Sequence, residues 1–196
     1  MNTVSVNNNP FSLTETDLPC VISYPEKSGG SYTSIVLLTQ ILSAGSKIIF
    51  FTAYPMAKNE LLEQIGTDNI NVFLLTENEQ IEHAKDFQVI IIQSGNEILL
   101  RETINRIPDI EQRVLFIKNI ENYTEETVLA CMQFQKRLIS GDINMCANTD
   151  FFRKTYWETI IAFAEQVNLS IPVPSLEKYQ AYVQSSRISG ILSMQK

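Results

Sequence analysis

Cys20-Val21-Ile22-Ser23-Tyr24-Pro25-Glu26-Lys27-Ser28-Gly29-Gly30-Ser31-Tyr32-Thr33 is the stretch from which the fold is read. A short apolar run stops at a Pro/Gly/Ser loop. The loop then opens into Ile35-Val36-Leu37-Leu38 and Ile41-Leu42, an amphipathic spacing that predicts a helix. Strand, glycine-containing loop and helix in that order make a phosphate-type loop. Glycines let several backbone N–H groups converge on one anion, and the following helix adds its unsatisfied N-terminal donors. Two readings of the loop follow from the residues alone: an anion site with Lys27 as its cation, or a tight strand-to-helix turn with a solvated lysine.

Working outward, strand-like and helix-like segments alternate. Gly45 closes the first predicted helix, and Lys47-Ile48-Ile49-Phe50-Phe51-Thr52 is continuously apolar, as a strand covered on both faces requires. A helix is predicted over 56–65 and a strand over 71–75. Phe87-Gln88-Val89-Ile90-Ile91-Ile92 is the most apolar run and reads as a central strand. A helix over 97–107 ends near Pro108, a strand covers 113–117, and a helix opens at Thr124-Glu125-Glu126-Thr127, where acidic residues suit the dipole. Short strands are expected at 138–140 and 159–164, and the segments 179–184 and 190–194 form a closing antiparallel hairpin. Residues 1–17, rich in Asn, Ser and Thr, read as a flexible arm, and 18–196 as one domain. The fold class expected is α/β, with a three-layer, mostly parallel doubly wound sheet and a C-terminal antiparallel hairpin.

This order of elements resembles the RecA-like group of P-loop NTPases, and the closing hairpin is similar to that of conjugation and DNA-pumping ATPases. The motif content is low. G-x-x-x-x-G-K-[ST] laid on Tyr24 to Ser31 matches only Gly29 and Ser31, with Gly30 in the lysine position. Shifted, Lys27-Ser28-Gly29-Gly30-Ser31-Tyr32-Thr33 keeps Lys27, Gly29 and Thr33 of the K-G-G-x-G-K-[ST] variant, with Tyr32 replacing the second lysine. The resemblance implies a metal-binding acid after the strand Val114-Leu115-Phe116-Ile117, but Lys118 stands there, and Glu121 is a poor substitute. It therefore implies a catalytically degenerate P-loop domain working as a binding or assembly subunit, a pseudoenzyme. The alternative is a divergent nucleotide-binding ATPase within a motor complex. On either reading the cofactor-binding residues are Lys27, Ser28, Gly29, Gly30, Ser31, Tyr32 and Thr33, with ATP and magnesium as the cofactor to test, and neither a catalytic residue nor a metal ligand is assigned.

Composition narrows the remaining classes. The 196 residues, 44% apolar and 19% charged, suffice for one full core. A net charge of -7 disfavours direct nucleic-acid binding, which needs Lys and Arg to neutralise phosphates. A protein partner or a homo-oligomer is expected instead. Cys20, Cys131 and Cys146 are widely spaced and suggest neither a disulfide nor a zinc framework, which suits a reducing compartment. With no leader and no membrane span read, the cytoplasm is the expected location. His83 is the one histidine, so triads and multi-histidine zinc schemes lack parts. Tyr156 and Trp157 are expected to pack a helix-to-strand junction. One further place stands out. Gln93-Ser94-Gly95-Asn96-Glu97 follows the most apolar strand at its carboxyl end, where open α/β sheets bind ligands, and would line a site there together with Thr52, Tyr54 and Asn119 from the equivalent ends of neighbouring strands.

Overall fold

A computed structural model of the chain describes residues 3–24, 47–54, 70–74, 81, 84, 86–118, 123–132, 138–141, 156–163, 173–177 and 180–195. Their strands are β1 (Thr3–Val6), β2 (Asn9–Pro10), β3 (Cys20–Ser23), β4 (Ile48–Thr52), β5 (Ile70–Leu74), β6 (Val89–Gln93), β7 (Val114–Lys118), β8 (Leu138–Gly141), β9 (Thr159–Ala162), β10 (Gln180–Ser185) and β11 (Ser189–Gln195). They join in one sheet of order β2-β1-β11-β10-β9-β3-β8-β7-β6-β4-β5. Two α-helices are described, α1 (Glu97–Arg106) and α2 (Glu125–Met132).

The apolar runs explain the centre of the sheet. Successive side chains of a strand point to opposite faces, so a strand buried on both faces must be apolar at every position. Ile48 and Phe50 of β4 pack on one face with Val89 and Ile91 of β6, Val114 and Phe116 of β7, and Cys20 and Ile22 of β3. Ile49 and Phe51 pack on the other with Ile90, Ile92, Leu115, Ile117 and Val21. That second face also receives Leu100 and Ile104 of α1 and Cys131 of α2. Burying each such side chain contributes about 1.5–3 kcal/mol, so these paired rows hold the centre together.

Helix α1 begins where it does because Asn96 Oδ1 accepts the N–H groups of Ile98 (2.8 Å) and Leu99 (3.2 Å). Its buried side chains Leu100, Thr103 and Ile104 recur at helical spacing. It ends at Ile107, whose extended backbone is what the following Pro108 demands.

The expected three-layer, mostly parallel, RecA-like doubly wound sheet is overturned. β2, β1, β11, β10, β9 and β3 form a mixed region in which the only parallel pairing is β3 with β9, the others all being antiparallel. β8, β7, β6, β4 and β5 continue from β3 in parallel. The apolar runs identified the strands, but they carry no information on how far the closing hairpin extends the sheet by antiparallel addition.

The expected N-terminal arm needs a second correction. Thr3–Val6 and Asn9–Pro10 are strands of the sheet: β1 pairs with β11 in the register Val4↔Met194 and Val6↔Leu192. Val4, Val6, Phe11 and Leu13 are buried in the same core as the central strands. Asn7 and Asn8, both at positive φ (50° and 67°), form the two-residue turn between β1 and β2. Asn tolerates that backbone at little cost, and it is the one a tight hairpin requires. Asp17, 2% exposed, accepts Thr14 N–H and Oγ1–H (each 2.7 Å) and a forked pair of bonds from Arg187, tying this segment to the β10–β11 turn.

Candidate functional site

Parallel register places residues of neighbouring strands in rows, and on one face the rows change character toward the carboxyl ends. Ile48, Val89 and Val114 form one row, and Phe50, Ile91 and Phe116 the next. Thr52 pairs with Gln93, and extending the β6–β7 register by one residue sets Lys118 beside Gln93. The third row is therefore Thr52–Gln93–Lys118. Two apolar rows end in a hydroxyl, an amide and an ammonium.

The chain path gives this row its importance. From β4 the chain proceeds to β5 at one edge, whereas from β6 it proceeds to β7 on the opposite side, although β4 and β6 are neighbours. Connections leaving two adjacent parallel strands in opposite directions open a crevice at their carboxyl ends, and open α/β sheets bind ligands there. Thr52 and Gln93 are the last residues of β4 and β6 and so form the floor of this crevice.

Its hydrogen bonds are directional. Thr52 Oγ1 accepts Tyr54 N–H at 3.0 Å and has Gln93 Oε1 (3.3 Å) and Tyr54 O (3.5 Å) within reach of its one proton, so the fully buried hydroxyl is satisfied. Ala53 N–H donates to Gln93 O at 2.9 Å, extending the ladder past the strand ends. Ser94 Oγ donates to Asn96 O (2.7 Å) and accepts Asn96 N–H (3.1 Å), while Tyr123 Oη donates to Ser94 O, which fixes the turn into α1. Tyr54 is 47% exposed, and its hydroxyl lies over Gly95, 2.7 Å from where a Cβ there would stand. Gly95 thus lets an aromatic wall close down on the turn.

Lys118 is 6% exposed, and burial lowers its pKa from 10.5 to about 8. Glu97 is held below the usual carboxylate range by hydrogen bonds from Thr124, whose N–H and Oγ1–H both reach its Oε1. Its carboxylate is therefore engaged with the start of α2. Cys131 is pushed up to about 12 and Cys20 further still, chiefly by burial, so these thiols are poor nucleophiles. No family model and no curated protein matches this chain.

The structure brings Thr52 and Tyr54 against the loop Gln93-Ser94-Gly95-Asn96-Glu97, the grouping that the sequence suggests from the ends of neighbouring strands. Lys27, Ser28, Gly29, Gly30, Ser31, Tyr32 and Thr33 lie outside the described residues, as do His83, Asn119 and Glu121. In the sequence Lys118 stands out only as the residue in place of a metal-binding acid; its place in the Thr52–Gln93–Lys118 row needs the β6–β7 register. Trp157 is buried, and Tyr156 is 71% exposed with its hydroxyl on Glu158. Among the described residues no three His, Cys, Asp or Glu side chains are placed to hold a metal ion, and no helix is long and apolar enough to cross a membrane.

Proposed function

We propose that this chain is a binding or assembly subunit whose ligand seats in the crevice between the carboxyl ends of β4 and β6. The observation that carries the reading is the coincidence of that chain reversal with the Thr52–Gln93–Lys118 row. A buried ammonium costs stability, and buried polar groups at the end of an apolar sheet are what recognition of a polar molecule requires. The side chains gathered there donate and accept hydrogen bonds, and the neighbouring Glu97 carboxylate is turned to Thr124. That supports recognition over proton transfer.

The test is thermal denaturation of the full chain against a panel of nucleotides with and without magnesium, small carboxylates, sugars and amines. It is repeated on Gly95→Leu, whose added side chain collides with the Tyr54 hydroxyl and displaces the wall beside the crevice. A ligand at about 100 times its Kd adds roughly 2.7 kcal/mol of stability, and the reading expects that gain in wild type and its loss in Gly95→Leu. A gain that survives the substitution, or none from any compound, overturns the reading. Nucleotide hydrolysis at ordinary NTPase rates overturns the non-catalytic part of it.

A further inference from the structure

One side chain of the crevice offers the same hydrogen-bonding pattern whichever way it is turned. The Thr52 hydroxyl accepts the Tyr54 N–H, and its one proton reaches either Gln93 Oε1 at 3.3 Å or Tyr54 O at 3.5 Å. In the first case Gln93 Oε1 keeps a second lone pair, and both Nε2 hydrogens are left. In the second, the amide can turn so that Nε2 donates to Thr52 Oγ1, which leaves one Nε2 hydrogen and the whole of Oε1. Either way the tip of the amide carries an acceptor beside a donor. Among the described residues nothing else takes them, and Gln93 is partly exposed where Thr52 is buried.

An aromatic ring stands at the same place. The register Thr52↔Gln93 makes Tyr54 and Gly95, two residues on, the next pair beyond the strand ends. Tyr54 N–H bonds Thr52 Oγ1 and the Tyr54 hydroxyl lies over Gly95, so the side chain bridges the ends of β4 and β6. Although placed in this way at both ends, Tyr54 is exposed.

We infer, resting on the binding reading above, that the ligand is a small planar heterocycle with a hydrogen-bond donor beside an acceptor on one edge, as in a cyclic amide or an amino-substituted ring. It stacks on Tyr54 and pairs that edge with the tip of the Gln93 amide. A side-chain amide forms two bonds at once with such an edge, as glutamine and asparagine do with adenine. Stacking on an aromatic side chain needs only a π-face, which every such ring has. A carboxylate offers acceptors alone and an ammonium donors alone, so each would use half of the amide tip.

Isothermal titration of the full chain with adenosine and, separately, with uridine tests this. Each is compared with an analogue whose edge donor is gone: adenosine dimethylated at its amino group, and uridine methylated at its ring N–H. The same titrations are run on Gln93→Leu, Tyr54→Ala and Tyr54→Phe. Saturable binding of at least one nucleoside is expected, weakened at least about five-fold by methylation of its edge, by Gln93→Leu and by Tyr54→Ala. Tyr54→Phe keeps the ring and should retain the binding. Binding that methylation, Gln93→Leu or Tyr54→Ala leaves intact overturns the inference, as does a loss in Tyr54→Phe equal to that in Tyr54→Ala. Binding of neither nucleoside also overturns it. The crevice reading then stands if another panel compound stabilises wild type but not Gly95→Leu, and falls with it if none does.

Discussion

Replacing Lys118 with methionine should make the protein more stable at neutral pH. Lys118 is 6% exposed, and its pKa falls from 10.5 to about 8 because burial disfavours the charged form. At about 1.4 kcal/mol per pH unit, that difference corresponds to a cost of about 3 kcal/mol when both folded and unfolded chains are protonated. Between about pH 8 and 10.5 the unfolded chain binds more protons than the folded one, so stability rises with pH. The cost is fully present below about pH 8 and has fallen below about 1 kcal/mol by pH 10. Methionine has a similar volume and no charge, so Lys118→Met removes the cost at every pH. Urea denaturation of both proteins at pH 7 and pH 10 provides the comparison, and taking the difference between them cancels all other titrating groups. The variant is expected to gain about 1–3 kcal/mol at pH 7, after the loss of whatever Lys118 contacts, and the gain should shrink toward zero at pH 10. A pH-independent difference, or a variant less stable than wild type by more than about 1 kcal/mol at pH 7, would refute the reasoning.

Three further outcomes concern the frame around the site. Gly190→Ala should destabilise by about 1–3 kcal/mol in urea, because the new Cβ would lie 2.2 Å from Asn7 Nδ2 and displace the side chain that bonds Ser189 O and Ile191 N–H. Asp17→Asn should cost about 2–3 kcal/mol in the same assay, since a buried carboxylate that accepts from Arg187 and Thr14 loses its charge-assisted bonds. Asn96→Ala should cost about 1 kcal/mol and raise amide exchange in the first turn of α1, where the cap bonds to Ile98 and Leu99 are lost.

The strands were legible because burial on both faces requires uninterrupted apolar runs: Ile48 to Phe51, Val89 to Ile92 and Val114 to Ile117 were all visible in the sequence. Strand pairing was not, because apolar content does not specify a neighbour. The order β9-β3-β8 depends on contacts between residues more than half the chain apart, and the antiparallel addition of β1 to β11 on contacts almost the full chain length apart. Residues 1–17 read as an arm because they are rich in Asn, Ser and Thr, and two valines, Val4 and Val6, are too short a pattern to declare the strand that ends in the Asn7-Asn8 turn. At the site, the polar ends of β4 and β6 were recognisable as carboxyl-end loops. Lys118 became a member of the same row only through the register, which no local pattern encodes.

The most direct measurement is a two-dimensional amide NMR titration of the full chain with the panel of nucleotides, small carboxylates, sugars and amines. The site described here predicts saturable shifts in the Gln93 side-chain NH2 pair and in the backbone amides of Ala53, Tyr54, Ser94, Gly95 and Asn96. Shifts spread over exposed lysines and arginines, or a Gln93 side-chain signal that does not move, would contradict it.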